Sequence, residues 1–361
     1  MERLIEIFLQ AAAIEALSGK EKPVADYIIN FLERYNFKCQ FDESFRHSSA
    51  NTGNLICRNG SGGDYMLLSH MDTARSTKDV KPVISNDKIT SSGDTVLGVD
   101  NRAGISVLLY VLEKASLEKI PLKDFTVAFT TCEETTLAGS KYLEIAPAIK
   151  KAFIFDSSYR PGNFIYSACG SMGYTAVVKG KASHSGLAPE KGISSIAAAA
   201  SIINNIRQGR LDEETTSNIG KISGGSAVNV VPEETFIEGE VRSFSRQKVE
   251  DEISNIHNIF LDGTKAGGTG LVFNAYWDFE PFTLSKTSEV FTDIYNALHK
   301  CGLSPAPVKS LGGSDANSLN ARNIQAVNIG IGAQNPHSND EFILLEDLYK
   351  SAEIALQLIK K

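Results

Sequence analysis

The stretch Tyr65-Met66-Leu67-Leu68-Ser69-His70-Met71-Asp72-Thr73-Ala74 constrains this chain more than any other. Its apolar run, Tyr65 to Leu68, predicts a buried strand. Alternation along that strand puts His70 and Asp72 on one face, where the chain leaves the sheet. In an open α/β sheet the carboxyl ends of the strands are where ligands bind. A histidine with a carboxylate two residues on fits a metal-binding imidazole and the partner that orients it. Taken alone, such a pair is more often a surface strand end than a ligand pair. The spacing of the acidic residues that follow decides between the two.

Short apolar strands alternate with helical spacing on both sides of this stretch. Lys38–Phe41, Asn54–Cys57, Phe125–Thr131 and Ala152–Phe155 read as strands, and Ile84–Thr90 reads as a hairpin arm. Val24, Ile28, Ile29 and Leu32 fall on one helical stripe, as do Ile105, Leu108, Leu109 and Leu112, the latter in a helix that starts at or just after Asp100. This order predicts an α/β fold with a mixed, largely parallel sheet and helices on both faces. After Gly173 the pattern becomes β-α-β-β-α-β, the ferredoxin-like split unit. Helical and strand patterns of the first kind resume from Glu289. The expected organisation is therefore one α/β domain in two segments, 1–173 and 286–361, with a small α+β domain, 174–285, inserted. A chain of 361 residues is long enough for two cores.

Composition removes several classes of function. A formal charge of −7 argues against nucleic acid or an anionic membrane as partner, because phosphate binding needs a basic face. No apolar stretch approaches the roughly 20 residues that span a bilayer. The opening Met1–Glu6 carries acidic residues inside its apolar pattern, unlike a secretory leader. Five scattered cysteines without Cys-x-x-Cys argue against a disulfide framework or a thiolate zinc finger and fit a reducing cytoplasm. Cys132 reads as a small buried residue.

The chemistry-bearing candidates, in chain order, are His70, Asp100, Glu133, Glu134, Asp156 and His337. The first five fall at the end of an expected strand or in the loop after one, so parallel strands would bring them together. Carboxylates and imidazoles crowded in one crevice repel or protonate unless cations neutralise them. Two histidines with several carboxylates suit zinc, with cobalt and manganese as alternatives. Asp100, at a helix start, is placed to bridge two such ions. The adjacent side chains of Glu133 and Glu134 diverge, so one can bind metal while the other handles a proton. His-Glu-x-x-His, Gly-x-Ser-x-Gly, a Walker loop and Gly-x-Gly-x-x-Gly are all missing. Each candidate also has an ordinary explanation: Asp100 as a helix cap, Glu133-Glu134 as a solvated strand end, His337 as a loop residue.

Taken together, Ser69-His70-Met71-Asp72-Thr73, Gly98-Val99-Asp100-Asn101-Arg102-Ala103-Gly104, Cys132-Glu133-Glu134 and His337 resemble the co-catalytic zinc exopeptidases that include peptidase T, aminoacylase and the glutamate carboxypeptidases. Ala182–Gly192 and Gly312-Gly313-Ser314-Asp315-Ala316-Asn317 resemble the peptidase T-like branch most. The similarity covers nearly the whole chain. It implies one zinc on His70 and Asp156, a second on Glu134 and His337, with Asp100 bridging and a cis peptide after it. Glu133 would be general base and acid, and Asp72 would fix the imidazole of His70. His184 would stabilise the oxyanion across a homodimer formed through the inserted domain, which acts as a lid. Asn229 and Arg242 would bind substrate backbone or carboxylate, with Gly313 and Ser314 also beside the substrate. The glycine that many relatives carry after the aspartate is replaced here by Ser157.

The implied activity is that of a tripeptide aminopeptidase acting on short peptides, with a metal-bound hydroxide as nucleophile. Two other readings stay open at this level: an N-acyl amino acid deacylase or carboxypeptidase with the same machinery, and a non-catalytic metal-dependent binding protein.

Overall fold

The computed structural model describes residues 2–361, which divide into two compact units. Of the described residues, the first comprises 2–167, Thr283–Ser310 and Ser314–Lys361, and the second Ala168–Phe282 with Leu311–Gly313. The boundary falls before Gly170, not after Gly173, because Gly170–Lys179 is one unbroken strand.

The first unit is built on a mixed sheet. Its main strands are β1 (Lys38–Phe41), β2 (Leu55–Asn59), β3 (Tyr65–His70), β4 (Phe125–Thr130), β5 (Lys151–Ser157), β6 (Asn163–Ala168) and β7 (Gln325–Gly330), in the spatial order β1-β2-β4-β3-β5-β7-β6. The central four pair in parallel, β4 with β3, β3 with β5 and β5 with β7. β1, β2 and β6 add antiparallel flanks. Every residue of β3 and β4 is buried, so both faces of the sheet are covered, as continuous apolar strands require. Helix Val99–Leu117 packs on β3 and β5, and helices Glu289–Lys300 and Asp315–Ala321 pack on β5 and β7. Because β3, β4 and β5 run the same way, His70, Glu133 and Asp156 leave the sheet at one edge.

Four local expectations need correction. The stretch 84–90 is not a single arm: Pro82–Ser85 and Lys88–Ser91 form a complete hairpin, turning at Asn86 and Asp87, and Phe342–Leu344 adds a third strand. β6 went unrecognised because Gly162 and the polar residues around it mask a short strand. The Gly312–Asn317 motif, to which the sequence assigned no element, leads into a helix from Asp315 to Ala321 capped by Ser314. Finally, Cys39 and Cys57 form a disulfide. They are register partners on antiparallel β1 and β2 with Cα atoms 4.1 Å apart, a proximity that 18 residues of sequence separation conceal. Cys132 is buried, and burial pushes its thiol up to about 12, as suits an inert packing residue.

The second unit is a ferredoxin-like α+β layer. Its antiparallel sheet runs Gly209–Arg210, Thr215–Gly224, Glu234–Ser243, Gly170–Lys179, Gly270–Phe279. Helices Ser195–Ile203 and Arg246–Ala266 cover one face, burying Tyr174, Ala176, Val178, Ile237 and Val241 against Ile202, Ile256 and Phe260. Both helices start on a serine whose hydroxyl accepts an amide of the first turn. Among the described residues no helix is long and apolar enough to cross a membrane.

Candidate metal centre

The carboxyl edge of β3, β4 and β5 collects two groups of ligand-type side chains, His70 with Asp100 and Asp156, and Asp100 with Glu134 and His337. In each group the candidate ligand atoms lie within 4.8 Å of one another. His70 Nε2 is 3.0 Å from Asp100 Oδ1 and 3.3 Å from Asp156 Oδ1. His337 Nε2 is 2.8 Å from Glu134 Oε2 and 3.5 Å from Asp100 Oδ2. The two oxygens of Asp100 thus face different histidines, the geometry of a bridging carboxylate.

Local backbone structure explains how Asp100 gets there. The helix 99–117 is irregular at its start: Asp100 (φ −89°, ψ 103°) and Asn101 (φ −124°, ψ 44°) are not helical, and the peptide between them is cis. Asp100 therefore does not serve as a helix cap, and its carboxylate is directed at the imidazoles. Asn101 folds back, its Nδ2 donating to the Phe155 carbonyl (2.8 Å) and to Asp156 Oδ1 (3.2 Å). Asn328 Nδ2 donates to the other oxygen of Asp156 at 3.0 Å. Neither asparagine was singled out from sequence, though an Asn inside the apolar run 326–331 is a signal that a buried partner awaits it.

Asp72 is fully buried and has more partners than His70 alone. Its carboxylate lies 3.4 Å from His70 Nδ1 and accepts the Ser18 hydroxyl at 2.6 Å. It also accepts the peptide N–H groups of Glu133 and Glu134, each at 3.1 Å. Those two amides open the one-turn helix 133–136, so a residue about sixty positions upstream supplies its N-terminal acceptor. Buried Glu21 takes part as well, accepting from Gly19 N (2.8 Å) and Cys132 N (3.0 Å).

The electrostatics demand positive charge at this place. Burial opposes a charge on His70, but hydrogen bonds to Asp100, Asp156 and Asp72 outweigh it and hold the imidazole well above its ordinary pKa. Hydrogen bonds to Asp100 and Glu134 push His337 up to about 10. Burial raises the carboxyl of Asp156 and also that of Glu134. Glu133 is in neither ligand group; burial, with Asp156, Asp315 and Glu134 nearby, pushes its carboxyl well above the carboxylate range. Oxygen and imidazole donors with this surplus of carboxylates match a borderline divalent cation. The residues present fit two such ions with one shared ligand.

The remaining sequence candidates are placed differently. His184, Asn229, Arg242 and Gly313 belong to the second compact unit. Nδ1 of exposed His184 accepts the amides of Gly186 (3.1 Å) and Leu187 (3.2 Å), which leaves the proton of a neutral imidazole on Nε2. Asn229 is exposed and its carbonyl accepts from Ser185 N. Arg242 makes a two-pronged pair with Glu240, at 3.0 and 2.9 Å, and donates from Nη1 to the Leu311 carbonyl at 3.3 Å. One N–H on Nη1 and one on Nη2 stay unused by these bonds. A Cβ on Gly313 would overlap the Phe279 ring, so packing alone requires glycine there. The hydroxyl of Ser314 accepts from Ala316 N as the helix cap, a structural use the sequence reading did not anticipate.

Comparison with known proteins adds independent findings. Residues 166–267 match the model of the M20 peptidase dimerisation domain. The chain is 28% identical to a tripeptidase from Staphylococcus aureus, with a TM-score of 0.93 over 99% of this chain and 97% of that one. It is 30% identical to aminopeptidase PepT from Bacillus cereus, with a TM-score of 0.88 over the same shares. Peptidase T of Clostridium novyi is 24% identical over 92% of this chain and 83% of its own length.

Proposed function

The chain belongs to the M20 peptidases, in their peptidase T-like branch, and from that premise we propose that this metal-dependent peptidase is a dinuclear zinc aminopeptidase that removes the N-terminal residue of short peptides, tripeptides foremost. The observation that carries the reading is Asp100, with one oxygen toward His70 and the other toward His337. His70 and Asp156 would hold one zinc, Glu134 and His337 the second, and Asp100 both. When bound, the ions supply Lewis acidity, lowering the pKa of a water and polarising a carbonyl.

The chain's own residues do the rest. Glu133, kept out of both ligand groups and held basic by burial, takes a proton from water at a carboxylate oxygen and delivers it to the departing amine nitrogen. Asp72 orients His70 through Nδ1 and seats the amides of Glu133 and Glu134, so base and ligand are positioned by the same carboxylate. In the proposed homodimer, formed through the inserted unit, the partner subunit's His184 presents Nε2–H to the carbonyl oxygen as charge develops on it. The two unused N–H groups of Arg242 offer a carboxylate of the substrate a foothold beside Glu240. Asn229, Gly313 and Ser314 are assigned substrate contacts in the same reading.

The test is elemental analysis of the purified protein together with hydrolysis of a free tripeptide and its N-acetylated form. Near two zinc per chain, cleavage of the free peptide only, and loss of turnover on chelation with recovery on added metal are the expected results. Preferential cleavage of the acetylated peptide would replace the aminopeptidase reading with a deacylase. Metal without cleavage of either would replace it with a binding protein.

A further inference from the structure

We propose that Glu341 is a positioning residue for the second cation site, setting the distance between Asp100 and His337. The inference rests on the two-cation reading above and goes beyond its ligand set. Glu341 is only 2% exposed. Its Oε2 accepts the amides of Gly98 (2.7 Å) and Val99 (3.3 Å), and its Oε1 accepts the amide of His337 (2.9 Å). One carboxylate therefore ties the turn immediately before Asp100 to the residue that carries the second imidazole.

The two segments need such a tie. His337 has a left-handed backbone (φ 65°) in a stretch without regular structure, and about half of its side chain is exposed. Packing covers only half of the ring, so besides its contacts with Glu134 and Asp100 the ring depends on how its peptide group is held. Glu341 holds that peptide by its N–H, while Arg75 Nη1 donates to its carbonyl at 3.2 Å. On the other side Gly98 also has positive φ (72°), and a Cβ there would lie 2.7 Å from Thr77 Cγ2. The turn is thus held close to its neighbour while its N–H points to Glu341.

The bonding of Glu341 is unlike that of a residue kept for stability. Its three hydrogen-bond donors are peptide N–H groups, and among the described residues no lysine or arginine forms an ion pair with it. A buried carboxylate is costly unless its environment compensates it, and three convergent amides do so only in one backbone arrangement. Groups that orient metal ligands from outside commonly change metal affinity 10–100-fold when removed.

The experiment titrates metal-depleted parent, Glu341→Gln, Glu341→Ala and His337→Ala proteins with cobalt(II), read by calorimetry and by the visible absorption of the bound ion. Glutamine keeps a single acceptor oxygen, so it can hold the Gly98–Val99 amides or the His337 amide but not both sets. The parent is expected to take up two cobalt ions per chain. Glu341→Gln should keep one of these at parental affinity and bind the second about 10–100-fold more weakly. In Glu341→Ala the second site should be weakened further. Combining Glu341→Gln with His337→Ala should cost nothing beyond His337→Ala alone, because both act on one site. Parental affinity at both sites in Glu341→Gln would overturn the inference while leaving the two-cation reading intact. Equal weakening of both sites, or failure of both Glu341 variants to fold, would assign the residue to stability and overturn it as well. A parent that binds no cobalt would fail the two-cation reading at the first step, before any variant is compared.

Discussion

Asp72→Asn asks whether one carboxylate holds both His70 and the Glu133–Glu134 turn. The wild-type carboxylate accepts the Ser18 hydroxyl at 2.6 Å and the amides of Glu133 and Glu134 at 3.1 Å each. The amide side chain is isosteric but keeps one acceptor oxygen. Oδ1 accepts Glu133 N and Oδ2 accepts both Glu134 N and the Ser18 hydroxyl, so in either orientation the NH2 group takes the place of a peptide amide's acceptor. When a peptide amide loses its acceptor, one hydrogen bond to a charged group disappears, worth roughly 1.5–3 kcal/mol, and a buried donor is left without a partner. A local loss of about 2 kcal/mol corresponds to roughly 30-fold in an opening equilibrium, at 1.4 kcal/mol per tenfold. The readout is hydrogen exchange by mass spectrometry across 131–137 in chelator, so that bound metal does not contribute. That segment should exchange about 30-fold faster in Asp72→Asn, whereas β5 should be unaffected. Ser18→Ala is the control: it removes the hydroxyl bond but neither amide bond, and the same segment should change by less than about threefold. Exchange of 131–137 within threefold of the parent in Asp72→Asn would refute the reasoning, because the amides would then owe their order to something other than this carboxylate.

Three further outcomes are expected. Glu133→Gln should lower turnover by about 10²–10⁴-fold, the usual worth of a positioned proton carrier, while metal content by elemental analysis stays at the parental value; retained turnover would remove Glu133 as the base. Gly104→Ala should destabilise the first unit by about 1–3 kcal/mol in denaturant unfolding, because its Cβ would overlap the Phe155 carbonyl, Asn101 Oδ1 and Ser69 Oγ around the ligand-bearing turn; a midpoint equal to the parent would show that the turn relaxes freely. Thiol titration in denaturant should find three reactive groups before reduction and five after it, and the reduced protein should be less stable by about 3 kcal/mol, the figure for a loop of this length; five thiols at the outset would show that Cys39 and Cys57 are not joined.

How far the sequence reached can be judged residue by residue. Tyr65 to Leu68 can only be a buried strand, and strands of that kind alternating with helical stripes leave little choice but a covered parallel sheet. Once the sheet is parallel, residues at strand ends share an edge, so His70, Glu133, Glu134 and Asp156 were readable as a group from position alone. The ferredoxin-like order of the inserted unit was readable for the same reason, since element type follows from periodicity within a single segment.

What the sequence could not supply were pairings between segments. Cys39 meets Cys57 only because β1 and β2 adopt one register of several that their short apolar patterns allow. That Arg242 is paired in two prongs with Glu240, two residues away on the same strand face, shows only in the folded sheet. That Ser314 caps a helix shows only once Asp315–Ala321 is folded. Asp72, Asn328 and Glu341 work through backbone amides or carboxylates brought to them from 61 to 243 positions away. A hydrogen bond requires its donor within about 3 Å and on line, and no pattern of residue types along the chain encodes that distance. Local patterning therefore determined which chemistry the chain carries and at which edge of the sheet. Tertiary packing alone decided which groups hold the ligands in place, because those contacts exist only once distant segments have been folded together.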